Sequence, residues 1–166
     1  MQQPPSSFVI RAALLQDMAL VASLFREYAG GIGIDLSYQG FEAELAALPG
    51  AYAPPRGVIL LAEQNGAAAG CVAVRPFGDG GICEMKRLHV RDTARGQGLG
   101  RALAMAAIAA ARKLGYATMR LDTLSTMIAA QSLYRTLGFR PIAPYYATPV
   151  AGTVFMEKTL APANEG

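Results

Sequence analysis

The segment Ile82–Gly100, ICEMKRLHVRDTARGQGLG, constrains this chain more than any other. It reads as a strand, a basic turn, and glycines at alternate positions, Gly96, Gly98 and Gly100, that open a helix. Glycine adopts the positive φ of tight turns and lets a ligand approach the backbone closely. The first N–H groups of a helix lack intrahelical partners, and aligned peptide dipoles add roughly half a positive charge beside them. A turn of this kind is an anion site, and phosphate is its usual guest.

The remainder supplies one α/β domain. A chain of 166 residues with 52% hydrophobic content fits a single core, as domains run to roughly 100–200 residues. We expect residues 1–7 to form a flexible lead-in and 8–161 one domain. MQQPPSS has neither the basic nor the apolar region of a secretion signal. No run of about 18 uncharged apolar residues appears, as a membrane span needs. The expectation is a cytoplasmic protein with no membrane partner, monomeric or homodimeric. A net charge of +3, without Lys/Arg stripes interleaved with aromatics, argues against nucleic acid. Lys86, Arg87, Arg91, Arg95 and Arg101 instead crowd around the glycine turn and suit a small polyphosphate. Cys71 and Cys83 sit in strand-like runs and read as buried free thiols. With no C-x-x-C and a single histidine, His89, no metal is expected.

Phe8–Ala13 reads as a strand and Gln16–Ala29 as an amphipathic helix, ended by Gly30, Gly31 and Gly33. A shorter helix follows at Phe41–Leu48, then a Pro/Gly-rich loop. Val58–Glu63, the Asn65–Gly66 turn and AAGCVAVRP form a hairpin, and Gly78–Gly81 turns into strand Ile82–Val90. The helix after the glycines closes at Gly115. TMRLDT is a strand, Ile128–Leu137 a helix stopped by Gly138, and FRPI and TVFMEKTL are late strands.

Two familiar phosphate loops fail. A Walker loop needs Lys-Ser/Thr after its second glycine, and Gly100 is followed by Arg101–Ala102. The dinucleotide fingerprint G-x-G-x-x-G/A meets Arg101 in one register and Leu103 in the other. Asp122, at the end of the next strand, could serve as its ribose-binding acid, but EMKR puts charges where that fold has a buried apolar strand.

Arg95-x-x-Gly98-x-Gly100 resembles the acetyl-CoA pyrophosphate loop of the GNAT superfamily of N-acetyltransferases, Q/R-x-x-G-x-G/A. The likeness extends from about Glu84 to Phe139, because AAQSLYRTLGF (Ala129–Phe139) is similar to the family's A-x-x-LY-x-x-LGF. The resemblance implies an α/β fold with a mixed, mostly antiparallel central sheet, flanked by helices and splayed at the CoA site. It implies acetyl-CoA as co-substrate, its pantetheine arm on the backbone of Leu88 and Val90 with His89 between them. The pyrophosphate would lie on the amides of Gln97, Gly98, Leu99, Gly100 and Arg101, beside Arg95 and Gly96.

Acetyl transfer needs a neutral amine, whereas a lysine amine titrates near 10.4 and an α-amine near 7.7–8.0. Glu84, on the strand expected to face the thioester, is the candidate base, directly or through water. Ile82, Glu84, Lys86, Leu88 and Val90 share one parity and mix charges with apolar groups, so a bulge could break the alternation. Tyr134 matches the tyrosine of the LY motif and is the candidate acid for the CoA thiolate. One departure is Met127, where many relatives carry a cofactor-contacting Asn; Thr123 or Ser125 could replace it. Tyr28, Tyr38, Phe41 and Tyr145 are candidate acceptor contacts, with Glu44, Tyr52 and Tyr146 also considered. The resemblance implies a small-molecule or peptide amine as acceptor. A non-catalytic acyl-CoA-binding regulator is the alternative reading.

Overall fold

Asn65 and Gly66 both have positive φ, 53° and 79°, as a two-residue hairpin turn between right-twisted strands requires. They join β2 (Val58–Gln64) to β3 (Ala67–Phe77), and Gly78–Gly81 leads β3 back along β4 (Ile82–Val90). In the computed structural model of the chain, residues 7–78 and 80–160 are described, Tyr38 by its backbone alone; most of the expected lead-in lies outside them. The sheet order is β1-β2-β3-β4-β5-β7-β6, with β1 at Phe8–Ala12, β5 at Thr118–Leu124, β6 at Arg140–Ile142 and β7 at Thr153–Thr159. Every neighbouring pair is antiparallel except β4 and β5. Those two run parallel and pair only at Ile82–Thr118, Cys83–Met119 and Glu84–Arg120. Beyond Glu84 they part.

Helices α3 (Leu99–Lys113) and α4 (Ile128–Thr136) cover one face, where Leu103 and Ala107 pack with Val72, Met85 and Leu121. Helices α1 (Met18–Ile32) and α2 (Phe41–Ala46) cover the other, where Leu24 and Phe25 meet Leu61 and Cys71. α1 runs on through Gly30 and Gly31, past the expected stop at Ala29, and ends at Gly33 with φ 67°. Glycine inside a helix costs only about 1 kcal/mol, and the extension packs Ile32 against the core. α2 stops at Ala46 rather than Leu48, since a residue before proline disfavours helical backbone.

β4 carries a bulge. Cys71 pairs with His89 and Ala73 with Lys86, so Arg87 and Leu88 together oppose Val72. Arg87 has φ 62°, a strained conformation for a side-chain-bearing residue. The bulge resolves the parity conflict in the sequence: Glu84, Lys86 and Arg87 all face α1 and α2, while Leu88 and Val90 pack on the α3 side. Arg87, 3% exposed, grips both Glu44 carboxylate oxygens at 3.1 Å and donates to Gln39 Oε1 at 3.1 Å. Its guanidinium lies 5.1 Å from the Phe41 ring centroid and 5.7 Å from that of Tyr28. Removing one partner of a buried ion pair costs about 3–5 kcal/mol. Arg87→Met is therefore expected to lower the unfolding free energy in urea by about 3 kcal/mol. Adding Glu44→Gln should restore part of the loss, and strict additivity of the two changes would contradict the pairing.

Candidate active site

Gly96 and Gly98, with φ 76° and 80°, turn the chain after the Asp92–Ala94 3-10 turn into α3. Gly98 is the N-cap and supplies no side-chain cap, and the first backbone bond runs from Ala102 N to Gly98 O at 3.1 Å. Among the described residues, the N–H groups of Gln97 to Arg101 meet no protein acceptor. This is the arrangement that binds a phosphate. Arg95 and Arg101 stand exposed beside it, Arg95 Nε on Val90 O at 3.3 Å and Arg101 Nη1 on Thr136 Oγ1 at 3.3 Å. The other basic residues expected here are elsewhere. The bulge turns Lys86 and Arg87 to the opposite face, and Arg91 pairs with Glu27 at 2.8 Å.

Where β4 and β5 part, a slot passes through the sheet. Its walls are Met85–Leu88 on one strand and Leu121–Thr123 on the other. Tyr134 of α4 lines it from the α3/α4 core and Tyr28 of α1 from the opposite face. Burial, with Tyr28 and the Asp122 charge, holds the Tyr134 hydroxyl well above the usual phenol range. It is protonated at neutral pH. Met127 also lines the slot, and its Sδ accepts from Thr123 Oγ1 at 3.7 Å.

On the α1/α2 face, consecutive tyrosines of the β6–β7 loop reach across the parting strands. Tyr145 donates to Glu84 Oε2 at 2.6 Å, and Tyr146 donates to Asp122 Oδ2. Arg75, opposite Glu84 on β3, bonds Glu84 Oε1 through Nη2 at 2.8 Å. Lys86 Nζ donates to Asp122 Oδ1 at 3.2 Å and stands 4.0 Å from Glu84 Oε2. Glu84, 1% exposed, lines a cavity with Gln39, Arg75, Phe77, Lys86 and Tyr146. Burial works to raise the Asp122 carboxyl, but Lys86 and the Tyr146 hydroxyl bring it below its ordinary value.

Tyr145 packs its ring edge-on against Phe77 and Phe155, with centroids 5.0 Å and 4.9 Å away. Phe41 is buried in the α1/α2 core beneath Arg87. The Tyr38 side chain lies outside the described residues. Leu88 and Val90 face the α3 side, whereas the His89 ring turns to α1, with Nε2 3.2 Å from Glu27 Oε1. Glu44 and Tyr52 join at 3.0 Å and hold Arg87 rather than an acceptor. Sequence reasoning gave no site role to Arg75. The register of the Gly78–Gly81 hairpin, which sets Arg75 opposite Glu84, carried that signal. Asp122 was weighed only as a ribose ligand, although alternation along TMRLDT puts it on the polar face with Arg120.

The family model described as the acetyltransferase (GNAT) family matches residues 19–139. The chain belongs to the GNAT acetyltransferases. It is an acyltransferase of a family that uses acetyl-CoA and acts on amine acceptors. An uncharacterized N-acetyltransferase of Schizosaccharomyces pombe is 43% identical over 94% of this chain and 96% of its own length. A GNAT acetyltransferase structure from Staphylococcus aureus superposes with a TM-score of 0.77 at 20% identity, over 93% of this chain and all of the other. An acetyltransferase from Salmonella typhimurium, solved with its cofactor acetyl-CoA, gives 0.68 at 22% identity, over 93% and 94%. These likenesses agree with the mixed, splayed sheet expected from the sequence. Among the described residues no helix is long and apolar enough to cross a membrane.

The lowered Asp122 carboxyl sets a sign for acid stability. A depressed folded-state value stabilises above the unfolded value of about 3.9, and that contribution is lost as pH falls through the folded value. Asp122→Asn should unfold at lower urea than the parent at pH 7, and the gap should narrow below about pH 4. A gap that stays constant down to pH 2.5 would contradict the ion pair.

Proposed function

We propose that this chain is an acetyl-CoA-dependent N-acetyltransferase that acylates a primary amine by direct attack. The observation that carries this is the slot between β4 and β5, which opens at Tyr134 on one face and at Asp122 and Tyr28 on the other. It gives donor and acceptor separate approaches to one point. In this reading the CoA pyrophosphate rests on the free amides of Gln97–Arg101, with Arg95 and Gly96 at the rim. The pantetheine arm runs along the edge of β4 that β5 leaves unpaired, at Leu88, His89 and Val90. Backbone N–H groups fixed in advance bind such an anion without reorganisation.

The amine nitrogen attacks the thioester carbonyl carbon, a C–N bond forms, and the C–S bond breaks as the intermediate collapses. The leaving thiolate, with an intrinsic pKa on the order of 8.5, takes the Tyr134 proton. The amine gives up one proton to a carboxylate, so the net transfer is one proton from nitrogen to sulfur. Glu84 is the candidate base, supported by its burial beside the cavity of Lys86 and Gln39. Asp122 is a second reading: it lines the same slot as Tyr134, whereas Glu84 sits at the last paired position of β4 and is engaged by Arg75 and Tyr145. The buried Cys83 thiol, pushed up to about 12 by burial, stays protonated and does not serve as a nucleophile. Tyr28 and Tyr145 border the acceptor's approach, while Phe41 packs beneath Arg87 in the core.

Acetyl-CoA should raise the melting temperature, and NAD and ATP should not; no shift at saturating acetyl-CoA would end the proposal. Loss of a general acid or base slows a reaction about 10²–10⁴-fold. In a thiol-release assay Tyr134→Phe should lower kcat by about 10²-fold with little change in the KM for acetyl-CoA. An unchanged kcat would remove Tyr134 from the role. The carboxylate whose amide variant, Glu84→Gln or Asp122→Asn, displaces the acid limb of the kcat profile is the base.

A further inference from the structure

We infer that the acceptor is a free α-amino acid with an uncharged side chain, bound as a zwitterion between Asp122 and Arg75. This rests on the acetyl-transfer reading above and narrows its acceptor.

Four side chains of alternating sign form a row across β3, β4 and β5. Arg75 contacts Glu84 at 2.8 Å, Glu84 faces Lys86 at 4.0 Å, and Lys86 contacts Asp122 at 3.2 Å. Arg87 and Glu44 extend it at 3.1 Å. The cluster therefore holds three cations and three carboxylates, and it is balanced without any ligand. An alkylammonium entering such a buried, neutral site brings an uncompensated charge, which is expensive to desolvate. A zwitterion brings none.

The placement of the charges sets its orientation. Asp122 borders the slot that Tyr134 also lines, so an ammonium held there is next to the point of transfer. Arg75 is the most open of the cations, its side chain 30% exposed against 4% for Lys86 and 2% for Arg87. Glu84 takes its Nε and Nη2, while Nη1 stands 4.0 Å from Glu44, beyond hydrogen-bond reach. That nitrogen has donor capacity to spare, and Arg75 lines two cavities together with Gln39. A guanidinium with a free edge is suited to a carboxylate.

A third direction leads from Asp122 into a small cavity whose walls are half apolar, with Ile32, Ile34 and Leu36, and half polar, with Gln39, Thr123 and Thr153. Asp122 is the one charged residue of that lining, so an uncharged side chain is favoured over an acidic one. Ammonium, carboxylate and side chain leave one tetrahedral carbon along these three routes, so the site distinguishes enantiomers. The product is an N-acetyl amino acid with CoA thiol: the ammonium first gives one proton through a carboxylate to solvent, the neutral amine then makes the C–N bond as the C–S bond breaks, and its second proton is balanced by the one that ends on sulfur.

The experiment compares leucine, leucinamide, 3-methylbutylamine and aspartate as acceptors at saturating acetyl-CoA, with kcat/KM corrected for the neutral-amine fraction. A hydrogen bond to a charged group contributes about 1.5–3 kcal/mol, which corresponds to roughly 10–100-fold. Leucine should exceed both carboxylate-free amines by at least about tenfold, exceed aspartate, and differ between its enantiomers. Arg75→Gln should collapse the leucine preference by raising its KM, with the acetyl-CoA thermal shift retained as proof of folding. Arg75→Lys, which lacks the fork, should weaken the preference if the first variant does not fold. Equal use of leucinamide or 3-methylbutylamine, a preference for aspartate, or no acetylation of leucine while acetyl-CoA still binds would overturn the assignment. A chain that shows no acetyl-CoA shift loses the donor reading itself, and this one with it.

Discussion

Two parallel strands that pair over three residues and then part leave backbone donors and acceptors along both inner edges. Buried groups of that kind need partners, and the chain meets the need unequally. β5 turns its other edge to β7 along its whole length. Among the described residues, β4 keeps β3 as a neighbour but has no strand beside it on the β5 side after Glu84. The gap is the slot on which the proposed function depends. It lets Tyr134, from the core beneath α3 and α4, and Asp122, from the polar face beneath α1, border one narrow space. The same divergence brings the end of β4 to the start of α3, where the unpaired amides of the glycine turn collect. A donor bound there would supply hydrogen-bonding groups to the free edge, and this is the physical link between the glycine turn and the proposed chemistry.

The slot's polar face is held by charges buried in a particular order, and the bulge at Arg87 creates that order. A regular strand would send Arg87 into the apolar core with Leu121 and Met85. The extra residue instead swings Lys86 and Arg87 onto one face, where Glu44, Gln39 and Asp122 receive them. Buried charges are tolerable only when paired and hydrogen-bonded, which ties α2, the short turn carrying Gln39 and the β6–β7 tyrosines to the ends of β4 and β5. The proposed acceptor specificity and the stability of this corner thus draw on the same side chains.

Features that depend on local backbone chemistry could be read from the sequence. The Asn65–Gly66 hairpin and the Gly96–Gly98 turn use φ values that few residues other than glycine and asparagine adopt, so their positions are explicit in the residue types. The α3 stripe and the LY-x-x-LGF helix were legible for the same reason, through a regular helical period. The bulge could be sensed as a parity conflict along ICEMKRLHV, but its position could not, because it depends on which partner each charge finds across the sheet. Lys86 and Arg87 were accordingly placed beside the glycine turn, whereas they face α1 and α2 with Asp122 and Glu44. Arg75, Asp122 and Tyr146 acquire meaning only when β3, β5 and a loop far along the chain are brought together. Gly30 and Gly31 misled because their low helix propensity is outweighed by the packing of Ile32.

The central claim is that the glycine turn and the free edge of β4 bind one molecule that ends at the slot. Backbone amide chemical shifts, followed during titration with CoA, test it most directly. The account predicts shifts that saturate together at Gln97–Arg101, at Leu88–Val90 and at Tyr134, with Phe8–Ala12 of the distant β1 unmoved. Shifts confined to the exposed arginines, or saturation at the glycine turn without response in β4 and Tyr134, would contradict it.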